Sequence, residues 1–384
     1  MIYLLMFFIS TLFFYYGDHY KGRRKHLISA IGMFFPVLLA ALRSENVGID
    51  ILTYVKPMYI CAIQSDNLMN YYILLATRSE TWDLEKGFTL VGYISTKIFG
   101  NLQGVLFMYA LLIILFIYLA INVYNTKVVV KYNKKPIKSW LVMLFFFCVL
   151  YNMSLTMIRQ SVACAIAVFA LMSLIAGNRI RAFVFLVIAM SMHSTSAIVL
   201  LAFIFYLSFE FGWRKVQKIS IPIGLIIAIA GGRMYWLIMN TINIFIPLPG
   251  RYLSMDYMWG QGNGVNLAFI FLLTCTVFCV FLLWSKKNKG DVLYSFDFYM
   301  VFFSAILIPM SIASANLSRI LYYFFYWFMF VIPLIENEKI KVRFLTHRRH
   351  TGVLIAIAIC LIYWLGTTGF NDYTGTINYE LFFM

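Results

Sequence analysis

Charge is what this sequence has least of. Only 12% of its 384 residues are Asp, Glu, Lys or Arg, about half the share of an ordinary soluble domain. That scarcity excludes a soluble globular fold, and 62% hydrophobic residues with a mean hydropathy of +0.84 put the chain in a bilayer. Acidic residues are the scarcer sign, 15 against 31 basic ones. Histidine is rarer still, with five. No metal-ligand spacing occurs among the polar groups that could gather outside the membrane, so no metal and no cofactor is expected. Six cysteines are scattered. Five of them (Cys148, Cys164, Cys275, Cys279, Cys360) lie in apolar runs and read as packing residues. Cys61 stands in a polar segment, so no disulfide framework is implied. The alternating ten-residue runs of a membrane β-barrel are missing. GQGNG, at 260–264, has no strand before it and no helix register after it, so it is no nucleotide loop.

What the sequence does have is long apolar runs of roughly 16–21 residues, the length that crosses a hydrocarbon core of about 30 Å as a helix. Spans are expected near 2–16, 27–42, 105–123, 140–156, 160–176, 182–192, 195–210, 219–239, 266–284, 296–312, 320–335 and 351–370. The fold class is therefore an all-α polytopic membrane protein of about 12 transmembrane helices, some short or re-entrant, in one integral membrane domain, 1–384. The start, MIYLLMFFISTLFFYY, lacks a basic n-region and a small-residue cleavage site, and reads as a retained first helix with its N-terminus outside. On that threading, connectors such as YKGRRKH and KYNKKPIK fall inside. Together the inside connectors hold 22 of the 31 Lys and Arg residues. The other nine are matched by nine carboxylates outside, so the whole net charge of +16 lies on the inner side. This is the positive-inside pattern. It makes the basic excess a topology signal and excludes a nucleic-acid partner.

One run, RAFVFLVIAMSMHSTSAIVLLAFIFYLSF, is long enough for a single helix. The charge pattern downstream requires two short ones meeting at Met192–Ser194, which puts His193 at a turn on the outer side. The largest outside segment is 43–101. Its second half, GFTLVGYISTKIFG, has helical apolar spacing (Phe88, Leu90, Val91, Ile94, Ile98) and reads as amphipathic in the outer leaflet. A second outside loop covers 241–264.

With that topology, the polar groups at outer helix ends are Arg43 with Asp50 and Tyr54, Arg159 with Gln160, His193, Arg251, and Arg319 with Asn316. Each has a plain reading: Arg251 can reach lipid headgroups, Asp50 can simply partner Arg43, and His193 with Ser194 can cap a helix hairpin. Arg159 resists one, because the turn before it is too short to let it reach the headgroups. Several guanidinium groups facing one side match phosphate oxygens two at a time and stay ionised when partly buried. A neighbouring His or Asp can take a proton from a hydroxyl. A lipid-linked phosphate or diphosphate is the anion those groups would meet outside.

The same residues carry a resemblance. ALRSENVGIDILTY resembles the EpsG-type pattern Arg–x(4)–Gly–x–Asp–x(3)–Tyr, matched at Arg43, Gly48, Asp50 and Tyr54. EKGFTLV resembles its Glu–x–Gly–Phe element at Glu85, Gly87 and Phe88. MIRQSVACAIAVFAL resembles the Arg–Gln helix start at Arg159 and Gln160, IAMSMHSTSAIVLL the His–Ser element at His193 and Ser194, and NLSRILYYFFYW the late Arg-plus-aromatic helix at Arg319. The loop around Arg251 matches no pattern. The chain is thus similar to the EpsG family of polysaccharide-polymerising membrane proteins, akin to the O-antigen polymerases called Wzy. The resemblance implies a GT-C-like bundle in a bacterial inner membrane, on which the threading above puts both termini and the one large loop on the periplasmic side. It also implies a glycosyltransferase working on undecaprenyl-diphosphate-linked oligosaccharides as donor and acceptor, surrounded by membrane lipid and with a chain-length regulator protein as a further partner. In that frame Arg159 and Arg319 would bind the donor diphosphate with Arg43 or Arg251 assisting, and His193 or Asp50 would be the base. A flippase for lipid-linked units, an O-antigen ligase or other polyprenyl-linked glycosyltransferase, and a non-catalytic assembly subunit remain open from the residues alone.

Overall fold

The computed structural model describes residues 2–213, 215, 218–219, 291–313, 315–337, 351–369, 375–376 and 378–382. The expected spans at 219–239 and 266–284 and the loop 241–264, with Arg251, lie outside the described residues. Every extended element among those described is helical, apart from one isolated bridge between Arg43 and Leu381. Among the described residues, four helices are long and apolar enough to cross a membrane: α2 (Gly22–Ala41), α6 (Leu102–Tyr132), α7 (Ser139–Thr156) and α8 (Ile158–Ile175). The first helix, α1 (Ile2–Asp18), is apolar but shorter.

The chain divides into two compact units, Met1–Ala197 with Met329–Met384, and Ile198–Phe328. In the first, α1 packs on α2 and α7, and α8 packs between α6 and α9 (Arg179–Met192). The centre of this unit is α8. It is buried from Ile158 to Ile175 at every position except Arg159. Its alanines at 163, 165, 167 and 170 explain how, since small residues let neighbouring helices approach closely where lipid offers no hydrophobic drive.

Polar backbone in this setting must be satisfied internally. Pro36 inside α2 removes the N–H that would have served the Gly32 carbonyl, and the Ser10 hydroxyl on α1 donates to that carbonyl at 2.6 Å. Asp18 accepts from the Ser139 N–H at 2.6 Å and pairs with Lys25 at 3.1 Å, capping the start of α7.

The segment expected as an outer loop is largely helical. After a wide turn at Ile51–Val55 come α3 (Lys56–Gln64), α4 (Leu68–Ala76) and α5 (Lys86–Phe99). Side-chain oxygens of Asn67 and Asn101 accept from Asn70 N–H and Gly104 N–H, starting α4 and α6 as N-caps do. The apolar positions of α5 divide between two environments. Phe88 is buried, stacked on Tyr109 at 4.4 Å between centroids, while Leu90, Ile94 and Ile98 are exposed. Thr89, Ser95 and Thr96 are buried instead, bonding carbonyls of their own helix. Polar groups inward and aliphatic ones outward is the polarity expected of a surface whose solvent is lipid. Cys61, which the sequence puts in a polar segment, is buried on α3, and Cys148, Cys164 and Cys360 are buried as well.

At the far end of this unit, α9 ends at Met192 and a 3₁₀ turn begins at Ser194, so the expected break at His193 is present. In the second unit, α10 (Val199–Glu210) packs on α11 (Val292–Ala313). Asp297 on α11 accepts from the indole N–H of Trp327, on α12 (Ala315–Asn337), at 2.9 Å. The last helix, α13 (Thr351–Trp364), returns to α7, where Trp364 donates to the Asn152 side chain at 3.0 Å.

Candidate functional site

The site is built where α7 hands over to α8. Met157 breaks the helix at φ −108°, ψ 67°, so the first N–H groups of α8 have no acceptor within the helix itself. Asp50, far away in sequence, supplies the acceptor: its carboxylate takes the Ile158 N–H at 2.8 Å. A carboxylate at a helix N-terminus also meets the positive end of the helix dipole. Gly48 makes this reach achievable. It sits at φ +100°, and a Cβ there would collide with the Leu155 carbonyl oxygen, so only glycine fits.

Arg159 follows in the first turn of α8. Its guanidinium lies 4.0 Å above the Tyr54 ring, a cation–π contact, and its Nη1 donates to Glu85 at 3.1 Å. Glu85 is the N-cap residue of α5 yet makes no side-chain bond to its own helix. Its Oε2 takes Arg159, while its Oε1 accepts from His193 Nδ1 at 2.7 Å and from the Ser194 N–H at 3.1 Å. Gly87 permits the approach, because a Cβ there would run into Ser191 near the end of α9. Burial alone would push the Glu85 carboxyl up. The hydrogen bond from His193, the charges of His193 and Arg159, and the Ser194 N–H overcome it and hold the group down at about 2. The side chains of Arg159 and Glu85 are each 15% exposed, and that of His193 9%, so the cluster is sheltered but reachable.

Arg43 has a different setting. Its backbone pairs with Leu381, and Ser44 N–H donates to the Glu380 carbonyl at 2.7 Å. The residue is 2% exposed, with neither Nε nor Nη1 hydrogen-bonded. Desolvation lowers its pKa to about 10, against the opposing pull of Tyr151, Tyr3, Tyr379 and Asp50. Those tyrosine hydroxyls point elsewhere: Tyr151 to the Pro36 carbonyl, Tyr3 to that of Thr376, Tyr379 to that of Leu39. A small cavity lies against Arg43, lined also by Tyr109, Tyr151, Ser154, Leu155 and Ile158.

Of the residues singled out by sequence, Asp50, Tyr54, Arg159 and His193 therefore meet at the start of α8. Gln160 is buried beside Arg159 on the same helix. Arg319 and Asn316 stand on the first turns of α12 in the second unit, with Arg319 half-buried. Arg251 lies outside the described residues. The residue that joins the cluster, Glu85, was visible in the sequence only as part of the Glu–x–Gly–Phe element. Nothing in its spacing told its carboxylate apart from the others in 43–101.

The fold and this cluster define a helical membrane protein that keeps charged groups together at a sheltered helix start, where such groups are expensive and their presence marks function. The EpsG family model matches residues 26–381, and the chain belongs to the EpsG family. No curated protein and no solved structure matches it significantly.

Proposed function

We propose that this protein is a polysaccharide polymerase. It transfers a growing glycan from undecaprenyl diphosphate onto a hydroxyl of a new lipid-linked repeat unit, at the periplasmic face of a bacterial inner membrane. The observation that carries the reading is Arg159, the one residue of the central helix left reachable, held beside a carboxylate–histidine pair in a member of a polysaccharide-polymerising family. The family points to the substrate class, and the cluster offers the chemistry that such a transfer needs.

In this reading the acceptor O–H gives its proton to His193 as its oxygen attacks the anomeric carbon of the donor glycan. The bond from that carbon to the diphosphate breaks, and its electron pair leaves with the diphosphate oxygen. Arg159 meets the charge that develops there, the effect that preorganised cations exert most strongly in sheltered sites. Arg319 and Arg43 are further cations for the diphosphate, with Arg251 as a fourth. Tyr54, Gln160 and Asn316 are assigned to substrate binding in the same reading. Asp50 holds the start of α8 and thereby aims Arg159. The reaction needs no metal, because guanidinium groups supply the positive charge. Twelve spans in a GT-C-like bundle with both termini periplasmic, and a chain-length regulator as partner, belong to the same reading.

The test is a gel of surface polysaccharide from a deletion strain, with and without the gene. Loss of the long-chain ladder with a single repeat unit still capping the lipid core is the expected result. Loss of every repeat unit would overturn it in favour of a flippase or ligase.

A further inference from the structure

We infer that Glu85 is the positioning residue of this site: it fixes the tautomer of His193, so that Nδ1 carries the hydrogen and Nε2 faces the acceptor hydroxyl. The inference rests on the polymerase reading for what Nε2 does, but the arrangement of Glu85 stands on its own geometry. An ionised carboxylate only accepts hydrogen bonds. Glu85 Oε1 stands 2.7 Å from His193 Nδ1 and already accepts from the Ser194 N–H, so the hydrogen between carboxylate and ring sits on Nδ1. The strongly lowered pKa of Glu85 fits a carboxylate that stays ionised throughout.

Other groups around the pair hold it in this state. From α8, Arg159 occupies Oε2 at 3.1 Å and cannot give its proton away. From the turn at Ile51–Val55, Tyr54 lies under Arg159 at 4.0 Å and fixes the guanidinium plane. From α6, Tyr109 donates its hydroxyl to the Phe88 carbonyl at 2.8 Å, anchoring the first turn of α5 on which Glu85 is carried. His193 itself is in extended backbone just past the end of α9, with its N–H bonded to the Ala189 carbonyl at 3.0 Å. Two elements far apart in sequence are thus locked by one carboxylate, which orients the base with one oxygen and the leaving-group cation with the other. In the transfer step the imidazolium formed when Nε2 takes the proton faces that carboxylate, and the proton then passes to water or to the departing diphosphate.

The same carboxylate could do nothing more than brace Arg159, which would also lower kcat, and the tautomer of His193 separates the two roles. Membranes carrying the full-length protein, supplied with lipid-linked repeat units extracted from the deletion strain, give kcat and KM for polymerisation. Glu85→Gln keeps the shape but lets its amide nitrogen favour the other tautomer. The expected result is a fall in kcat of about 10²–10⁴-fold, the scale seen when an orienting carboxylate is neutralised, with KM changed less than about threefold. A rise in KM with kcat held, or no change in either, would overturn the assignment. If Glu85→Gln does not accumulate in the membrane, Glu85→Asp is read the same way, because it keeps the charge and withdraws it by one methylene.

Nitrogen-15 spectra of histidine-labelled protein provide the readout that does not depend on the reaction. The His193 signal, identified by its loss in His193→Gln, should be that of the Nδ1–H tautomer in the wild type and change in Glu85→Gln. An Nε2–H signal in the wild type would refute the inference. Wild-type membranes that make no polymer while the Nδ1–H signal is present would remove the polymerase reading and leave the positioning by Glu85 intact.

Discussion

Two arginines, Arg159 and Arg43, stand close to the start of the same helix and have opposite surroundings. Arg159 is stacked on Tyr54 and paired with Glu85. Arg43 is more deeply buried, and its Nε and Nη1 atoms have no hydrogen-bond partner. A buried guanidinium with two of its nitrogens unused is costly, and the protein tolerates it. The difference teaches that the first arginine is held ready in one geometry. The second has unspent hydrogen-bonding capacity beside a cavity whose wall includes Ile158, the residue next to Arg159.

The comparison breaks most visibly at Arg159. Arg159→Ala should reduce polymer at least ~100-fold with protein level retained, and Arg159→Lys should recover little, because it keeps the charge and loses the planar fork. A normal ladder from Arg159→Ala would put the two arginines on an equal footing. The next effect is in acid. Glu85 is an acid whose folded pKa is depressed from 4.5 to about 2. Its contribution is therefore full above pH 4.5 and is lost as pH falls from there towards 2. The shift corresponds to about 3 kcal/mol, so the thermal midpoint gap between wild type and Glu85→Gln should be wide at pH 6 and closed near pH 2.

Arg43 should behave in the reverse sense. Arg43→Met fills the same space without a stranded charge, and should raise stability by about 1–3 kcal/mol in thermal unfolding of detergent-solubilised protein while lowering polymer output. A destabilised Arg43→Met would show that the guanidinium is better satisfied than its surroundings indicate. Smallest is Tyr54→Leu. It removes a cation–π contact worth about 0.5–2 kcal/mol and should lower kcat/KM for the lipid-linked unit several-fold.

Much of this architecture was legible in the sequence because membranes simplify the code. Apolar runs marked α2, α7 and α8 to within a few residues, and the charge pattern required the break at His193 that the helix ends show. Arg159 stood out because an ionised side chain at a helix start between two apolar runs needs a partner. What could not be read was the partner. Glu85 is 74 positions from Arg159 and 108 from His193, and no local period links them. The role of Asp50 was hidden for the same reason, since a carboxylate that caps a helix 108 residues away looks like any loop acid. The segment 43–101 read as a loop because its helices are short and mix polar with apolar residues. The sidedness of α5 was misleading, since Phe88 and Ile94 belong to the same helical spacing and to different environments.

The pairing of Arg43 with Leu381 has a consequence for biogenesis. Tyr3 and Thr376, joined by a hydrogen bond, are separated by 373 residues, and Tyr379 reaches back 340 residues to the Leu39 carbonyl. Contacts of such sequence separation close late. While the chain is emerging from the ribosome, Arg43 has not yet met the segment that shuts it in, and water can still hydrate its guanidinium. This unfavourable burial is thus deferred until residues 376–381 have been made, after the helices of residues 2–175 that precede them.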